Sequence, residues 1–264
     1  MAPHACGKVG RFAASDDERL ADLTEALSDT SIDIIVCARG GYGLQQLVSR
    51  LPESCLGTHR PLLVGFSDIT ILHQWLGWHN LPSLHGLMCK HIATMPEDSD
   101  PIRWWRRAIE GEKMEYNIPI YPLNRPGRVE GTLIGGNLSV LYGLQGTPWS
   151  LSERIGELPI DIQPVLFIED VGERHYHIDR MMLNLKMSGV LNSIGGLVVG
   201  KFSECDDDPS MGCTVYETIA KAVEEYHYPV LFDFPAGHVE YNLPLRLNSP
   251  VSLTVDASGG KVIC

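Results

Sequence analysis

Apolar and polar positions along the chain fall into a repeating order of helix and buried strand. Ser15-Asp16-Asp17-Glu18 has the Ser-x-x-Glu form of a capping box, and Leu20, Leu23 and Leu27 follow at helical spacing, which predicts a helix over about 16–28. Ile32-Asp33-Ile34-Ile35-Val36-Cys37-Ala38 is a near-continuous apolar run, the pattern of a strand buried on both faces of a parallel sheet. It ends in Arg39-Gly40-Gly41-Tyr42-Gly43. A further helix, a strand over 62–66 and a helix from 68 to about 78 continue the alternation, which points to a doubly wound α/β layer. Ser99-Asp100-Pro101 opens one more helix, carrying Trp104 and Trp105, with proline where a first turn tolerates it.

Periodicity is lost over residues 111–130, where Pro119, Pro122, Pro126 and Gly127 gather, so a linker is expected there between an N-terminal unit (1–110) and a C-terminal unit (131–264). The second unit opens on a glycine turn into a helix, Gly135-Gly136-Asn137. Strands at 165–168, 197–199 and 229–232 alternate with helices near 177–187 and 214–226, and a pair of strands is expected in the stretch from Leu243 to Ile263.

Composition narrows the class without changing this picture. The chain has 264 residues, 44% hydrophobic and 20% charged, enough for a sizeable core in one or two domains. Its formal net charge of -12 argues against nucleic acid or an anionic membrane surface as partner. No apolar run reaches the roughly 18 residues of a membrane span, and MAPHACGKVGRF lacks a signal-peptide core, so a cytoplasmic location is expected. Seven cysteines without a Cys-x-x-Cys pair suit reduced thiols, with Cys37 a small core residue. No cofactor is expected. His175-Tyr176-His177 offers two metal ligands from one strand face, but no third ligand stands out and His-Glu-x-x-His is absent, so no metal site is assigned.

Candidate chemistry lies at strand ends. Ser67 follows Val64-Gly65-Phe66, Glu169 follows Phe167-Ile168, and His238 follows Pro235-Ala236-Gly237. Serine, carboxylate and imidazole are the parts of activated-hydroxyl catalysis: the imidazole takes the serine proton while the carboxylate orients the ring and stabilises its charge. Each has a plain alternative. Ser67 is equally placed to cap the following helix, Glu169 to cap a turn, and His238 to lie in a surface loop. The glycines at 40, 41 and 43 present backbone N–H groups to a developing oxyanion, or simply make a tight turn.

Seven ordered blocks carry a family resemblance: RFAASDDERLADLTEAL, CARGGYG, VGFSDITILH, LHGLM, GTLIGGNLSVL, LFIEDVGERHYHIDRMM and GHVEYNLPLRLN. Together they resemble the serine LD-carboxypeptidases, which include muramoyltetrapeptide carboxypeptidases and microcin C self-immunity peptidases. The resemblance implies a flavodoxin-like, doubly wound parallel sheet joined to a smaller C-terminal α/β domain, with the site at their interface. It implies Ser67 as nucleophile, Glu169 as the carboxylate and His238 as the base, with the oxyanion held by the N–H of Asp68 and one from Gly40 or Gly41. Arg39 and Arg180 are chemically suited to bind a substrate's terminal carboxylate, and equally to form structural ion pairs. The implied substrate is a murein tetrapeptide, cut at the L,D bond before terminal D-alanine during cell-wall recycling, and a homodimer is the expected assembly. Family members carry about one more strand-helix unit before the Arg11 block. Because the first strand of such a sheet is central, its absence is expected to leave two unpaired edges. A non-catalytic muropeptide-binding remnant and a microcin-type hydrolase are the alternative readings. An α/β-hydrolase esterase fits less well, since Gly65-Phe66-Ser67-Asp68-Ile69 lacks the second glycine of Gly-x-Ser-x-Gly.

Overall fold

The computed structural model describes residues 1–264. The N-terminal half runs α1 (Asp16–Ser28), β1 (Ile34–Val36), α2 (Gln45–Val48), β2 (Leu62–Gly65), α3 (Thr70–Trp78), β3 (Ser83–His85), α4 (Cys89–Ile92) and α5 (Asp100–Ile109). The rest runs β4 (Glu115–Pro119), β5 (Gly127–Asn137), α6 (Leu138–Gly143), α7 (Leu151–Gly156), β6 (Gln163–Val171), α8 (His175–Met187), α9 (Val190–Ser193), β7 (Gly196–Ser203), α10 (Val215–Ala222), β8 (Val230–Leu231), β9 (Leu245–Leu247), β10 (Ser249–Asp256) and β11 (Gly259–Ile263). At α1 the capping box forms as expected, with Ser15 accepting from the Glu18 N–H and the Glu18 carboxylate accepting from the Ser15 N–H.

Two sheets result. The first has the order β1-β2-β3-β9, its first three strands parallel and β9 antiparallel. The second has the order β4-β11-β10-β5-β6-β7-β8, with β5 to β8 parallel. No gap divides the first sheet. Ile34–Val36 pairs directly with Leu62–Val64, so the expected pair of open edges inside the sheet is absent, and its two edges are the outer sides of β1 and β9. Residues 111–130 are also more ordered than a linker: Glu115–Pro119 is an edge strand, and Gly127 opens the long central one.

Three cores hold the layers together. Leu27, Val48, Leu63, Leu72 and Trp75 pack α1 to α3 onto one face of the first sheet. Val64, Leu84, Leu247, Tyr116, Leu133 and Phe167 fill the space between the two sheets, with Trp104 and Trp105 of α5 against them. Ile168, Met182, Leu185, Val199 and Ile219 pack α8 and α10 onto the outer face of the second sheet. No helix is long and apolar enough to cross a membrane. No two cysteines are bonded, and Cys37 is half-buried against the first of these cores, where desolvation pushes its thiol up to about 12.

Between α3 and the end of β2, His73 is fully buried. Its Nε2–H donates to the Gly65 carbonyl at 2.9 Å and its Nδ1 accepts from Ser83 at 2.8 Å, which fixes the neutral tautomer. Burial lowers its pKa to about 4 from the ordinary 6.5. The unfolded chain therefore takes up this proton first, so the contribution is complete above about pH 6.5 and is lost as pH falls toward 4. The loss amounts to at most about 3 kcal/mol. In urea unfolding at pH 7 and pH 4, the stability gap between wild type and His73→Gln should narrow by up to that amount at the lower pH. An equal gap at both pH values would refute the assignment.

Candidate active site

Ser67 stands where β2 ends and a 3₁₀ turn, Ser67–Ile69, leads into α3. Its φ is +68°, a left-handed conformation that is uncommon for a residue with a side chain and that turns the hydroxyl out of the strand direction. The helix start at Phe66 carries no side-chain cap, so Ser67 does not play the capping role that its sequence position allows. Gly40 is pressed against it. A Cβ on Gly40 would lie 2.7 Å from Ser67 Cβ and 2.9 Å from its Oγ, so only glycine lets the 39–43 turn approach the hydroxyl this closely. The buried Asp68 carboxylate holds that turn in place by accepting the Leu44 N–H at 3.1 Å, and burial raises its pKa. Arg39 is exposed, with its guanidinium over Gly41, at the same turn.

Glu169 and His238 come from the second sheet and the loop after β8. Along β6, side chains alternate, so Phe167 and Glu169 face the first sheet while Ile168 and Asp170 face α6 and α8. His238 Nδ1 lies 2.8 Å from Glu169 Oε2. A carboxylate only accepts here, so Nδ1 carries the proton and Nε2 is left as the basic nitrogen. Glu169 is fully buried, whereas the His238 side chain keeps 21% of its surface exposed. Gly237, at φ +130°, makes this contact possible, because a Cβ there would come within 2.8 Å of Glu169 Oε2. The glycine beside His238 thus admits the Glu169 carboxylate. The Phe66 ring, one residue before Ser67, meets the His238 ring edge-on at 4.9 Å and brings the base beside the strand end that carries the serine.

The seam between the sheets is polar and buried. Thr70 Oγ1 accepts the Asn137 N–H at 3.0 Å, Gln74 donates to the Gly135 carbonyl at 3.1 Å, and Asn248 donates to the His73 carbonyl at 2.9 Å. Asp170, adjacent to Glu169, accepts from Asn137, Ser139 and its own strand's Val171 N–H. Burial, and secondarily the Glu169 charge, push its pKa up to about 7 despite those donors. The pairing of Asn137 with Asp170 joins positions 33 residues apart, so no local pattern in the sequence signals it.

Other candidates lie elsewhere. Arg180 is on the exposed side of α8, over the Tyr176 ring at 5.6 Å, on the outer face of the second sheet. His175 and His177 are on a helix, not on a strand face. His175 is buried against Thr218 at 2.7 Å and His177 pairs with Glu173, so the two rings do not converge on a metal. A cavity of about 300 Å³ lined by Leu27, His59, Arg60, Leu81, Glu110 and Arg246 touches none of the three candidate residues.

Likeness to known proteins agrees with this architecture. Residues 1–86 match the LD-carboxypeptidase N-terminal domain family and residues 130–253 the LD-carboxypeptidase C-terminal domain family. A probable murein peptide carboxypeptidase of Bacillus subtilis is 36% identical over 250 residues, covering 92% of this chain and 76% of that protein. The murein tetrapeptide carboxypeptidase of Pseudomonas aeruginosa is 30% identical, covering 90% and 78%. Among solved structures, the muramoyltetrapeptide carboxypeptidase of Oxalobacter formigenes superposes with a TM-score of 0.85 at 29% identity, over 97% of this chain and 85% of that one. The chain belongs to the LD-carboxypeptidase family.

The close approach at Gly40 is directly testable. Gly40→Ala should keep the melting temperature within a few degrees yet lower peptidase turnover about hundredfold by displacing Ser67. Circular-dichroism melting alongside rate measurements checks both halves, and wild-type turnover in a folded variant would contradict the packing described.

Proposed function

We propose that this chain is a serine LD-carboxypeptidase that hydrolyses the L,D peptide bond before the terminal D-alanine of murein tetrapeptides. One observation carries the reading. A Glu169–His238 pair, 2.8 Å apart with the basic nitrogen left free, meets the Phe66 ring, one residue before a serine held at φ +68° against a glycine turn. The murein peptide carboxypeptidases it resembles supply the substrate class.

In this mechanism His238 Nε2 takes the Ser67 proton as Oγ attacks the carbonyl carbon, and Glu169 stabilises the imidazolium that forms. The C–O⁻ of the tetrahedral intermediate accepts from the Asp68 N–H and from an N–H of the Gly40-Gly41 turn. Collapse breaks the C–N bond, and His238 returns the proton to the departing D-amino acid. A water deprotonated by His238 then attacks the acyl-serine ester and restores Ser67. Arg39, at the edge of the glycine turn, is the cation placed to receive the free carboxylate that an exopeptidase must recognise. Arg180, on the outer face of α8, is not assigned that role. The reading places the reaction in the cytoplasm, on peptides returned from the wall, with no cofactor, nucleic acid or membrane partner.

Incubation of the purified chain with a muramoyl tetrapeptide, followed by mass spectrometry, should show loss of one D-alanine. Ser67→Ala should lower that rate about ten-thousandfold or more while leaving the fold intact. Failure of the folded wild type to release D-alanine would overturn the activity, and equal release by the variant would overturn the role of Ser67.

A further inference from the structure

Beneath the Glu169–His238 pair lies a set of buried polar atoms to which the mechanism assigns no task. His85, at the end of β3, Asn242, in the loop after His238, and Glu169 are all fully buried. Both ring nitrogens of His85, Asn242 Nδ2 and Glu169 Oε1 lack a hydrogen-bond partner within the protein. Native interiors rarely leave such groups unmatched, and four on three residues call for a common explanation.

Their chemistry is complementary. Asn242 Oδ1 already accepts the Gly237 N–H at 2.9 Å, so its unused group is the NH₂, a donor. Burial holds the pKa of His85 well below its ordinary value, so the ring is neutral and offers one donor and one acceptor. Glu169 Oε1 is an acceptor. Unmatched donors, on Asn242 and His85, are therefore balanced by unmatched acceptors, on His85 and Glu169. Placement agrees with this. The Asn242 side chain neighbours the His85 ring. That ring is stacked edge-on against Phe167 at 4.9 Å, two residues before Glu169 on the same face of β6. On its other side it meets Phe66 at 5.4 Å, one residue before Ser67. His85 also pairs with Leu245 in the strand that follows the His238 loop, so both ends of this polar group are tied to backbone that carries candidate catalytic residues.

We propose that His85 and Asn242 are positioning residues, which complete a buried relay from the Gly237 N–H through Asn242 and His85 to the second oxygen of Glu169, directly or through one enclosed water. The relay locks the rotamer of Glu169 and the height of the His238 loop against the first sheet, so that a base from one sheet meets a serine from the other. It rests on the LD-carboxypeptidase reading for its rate measurements but not for its spectroscopic one. A histidine that merely fills the core would be replaceable by any ring of similar shape. A relay member is replaceable only by a side chain with both a donor and an acceptor.

The titratable groups around the His238 imidazole are Glu169, His85 and His91, and only His85 is changed in the test. In the full-length protein, His85→Phe should keep KM, lower kcat for D-alanine release about tenfold or more and move the acid limb of the pH–rate profile. The downfield proton NMR signal of the His238 Nδ1–H, read without substrate, should broaden or shift. His85→Gln, which keeps a donor and an acceptor, should recover most of kcat and the signal. His85→Phe with wild-type kcat, pH profile and NMR signal would overturn the proposal. If His85→Phe does not fold, His85→Gln must still fold and work, and Asn242→Leu must reproduce the kcat loss at unchanged KM, or the role is structural and the proposal fails. A wild type that releases no D-alanine, yet shows a downfield signal that His85→Phe loses and His85→Gln restores, would refute the activity and leave the relay standing.

Discussion

Everything at this site depends on the seam where α3 lies against β5. The candidate nucleophile belongs to one sheet and the candidate acid and base to the other, so no local turn geometry can bring them to hydrogen-bonding distance. Thr70, Gln74 and the His73 carbonyl, all on the helix that starts three residues after Ser67, are hydrogen-bonded to Asn137, Gly135 and Asn248 of the second sheet. Gly136 admits Thr70 at this seam, since a Cβ there would lie 2.6 Å from the threonine hydroxyl. The Thr70 and Gln74 bonds are out of water, and breaking either leaves a buried donor or acceptor unmatched at about 1–3 kcal/mol. The apolar core between the sheets supplies cohesion. The polar seam supplies register.

Strand β6 serves both purposes through simple alternation. Glu169 faces the first sheet and orients His238, while Asp170 faces outward and gathers the start of α6. Two adjacent carboxylates at the centre of a fold repel one another, and the structure answers with different environments. Asp170 is surrounded by donors yet held up to about 7, so near neutral pH it relieves part of the repulsion by binding a proton. A register shift between Ile168 and Asp170 in the pairing with β7 falls at Glu169, where the strand must serve the site as well as the ladder.

Local signals made the elements legible and left their assembly hidden. The capping box at Ser15, the proline in the first turn of α5 and the apolar runs of β2, β6 and β7 all formed near their expected bounds, because each depends on neighbours within a few residues. The chain order of carboxylate and histidine at strand ends likewise pointed to two residues that the structure pairs, Glu169 and His238. Short strands escaped. Ser83–His85 has three residues and no period, and Glu115–Pro119 is a strand only because β11 lies beside it. The break expected inside the first sheet is absent for a related reason: adjacency of β1 and β2 is a property of the whole sheet that no window of sequence contains. His175 and His177 read as paired ligands under a strand's period of two and diverge under a helix's 3.6.

Strand β9 is the one piece of the late chain that returns to the first sheet, where it pairs with β3 immediately after the His238 loop. This crossing fixes the order in which the molecule can mature. The early strands lack their last neighbour until almost the whole chain has left the ribosome, and closing that pairing joins residues far apart in sequence, a slow kind of step. Ser67 and its would-be activator therefore remain apart through most of synthesis. A site built this way is completed only by the pairing of β9 with β3, in the final act of folding.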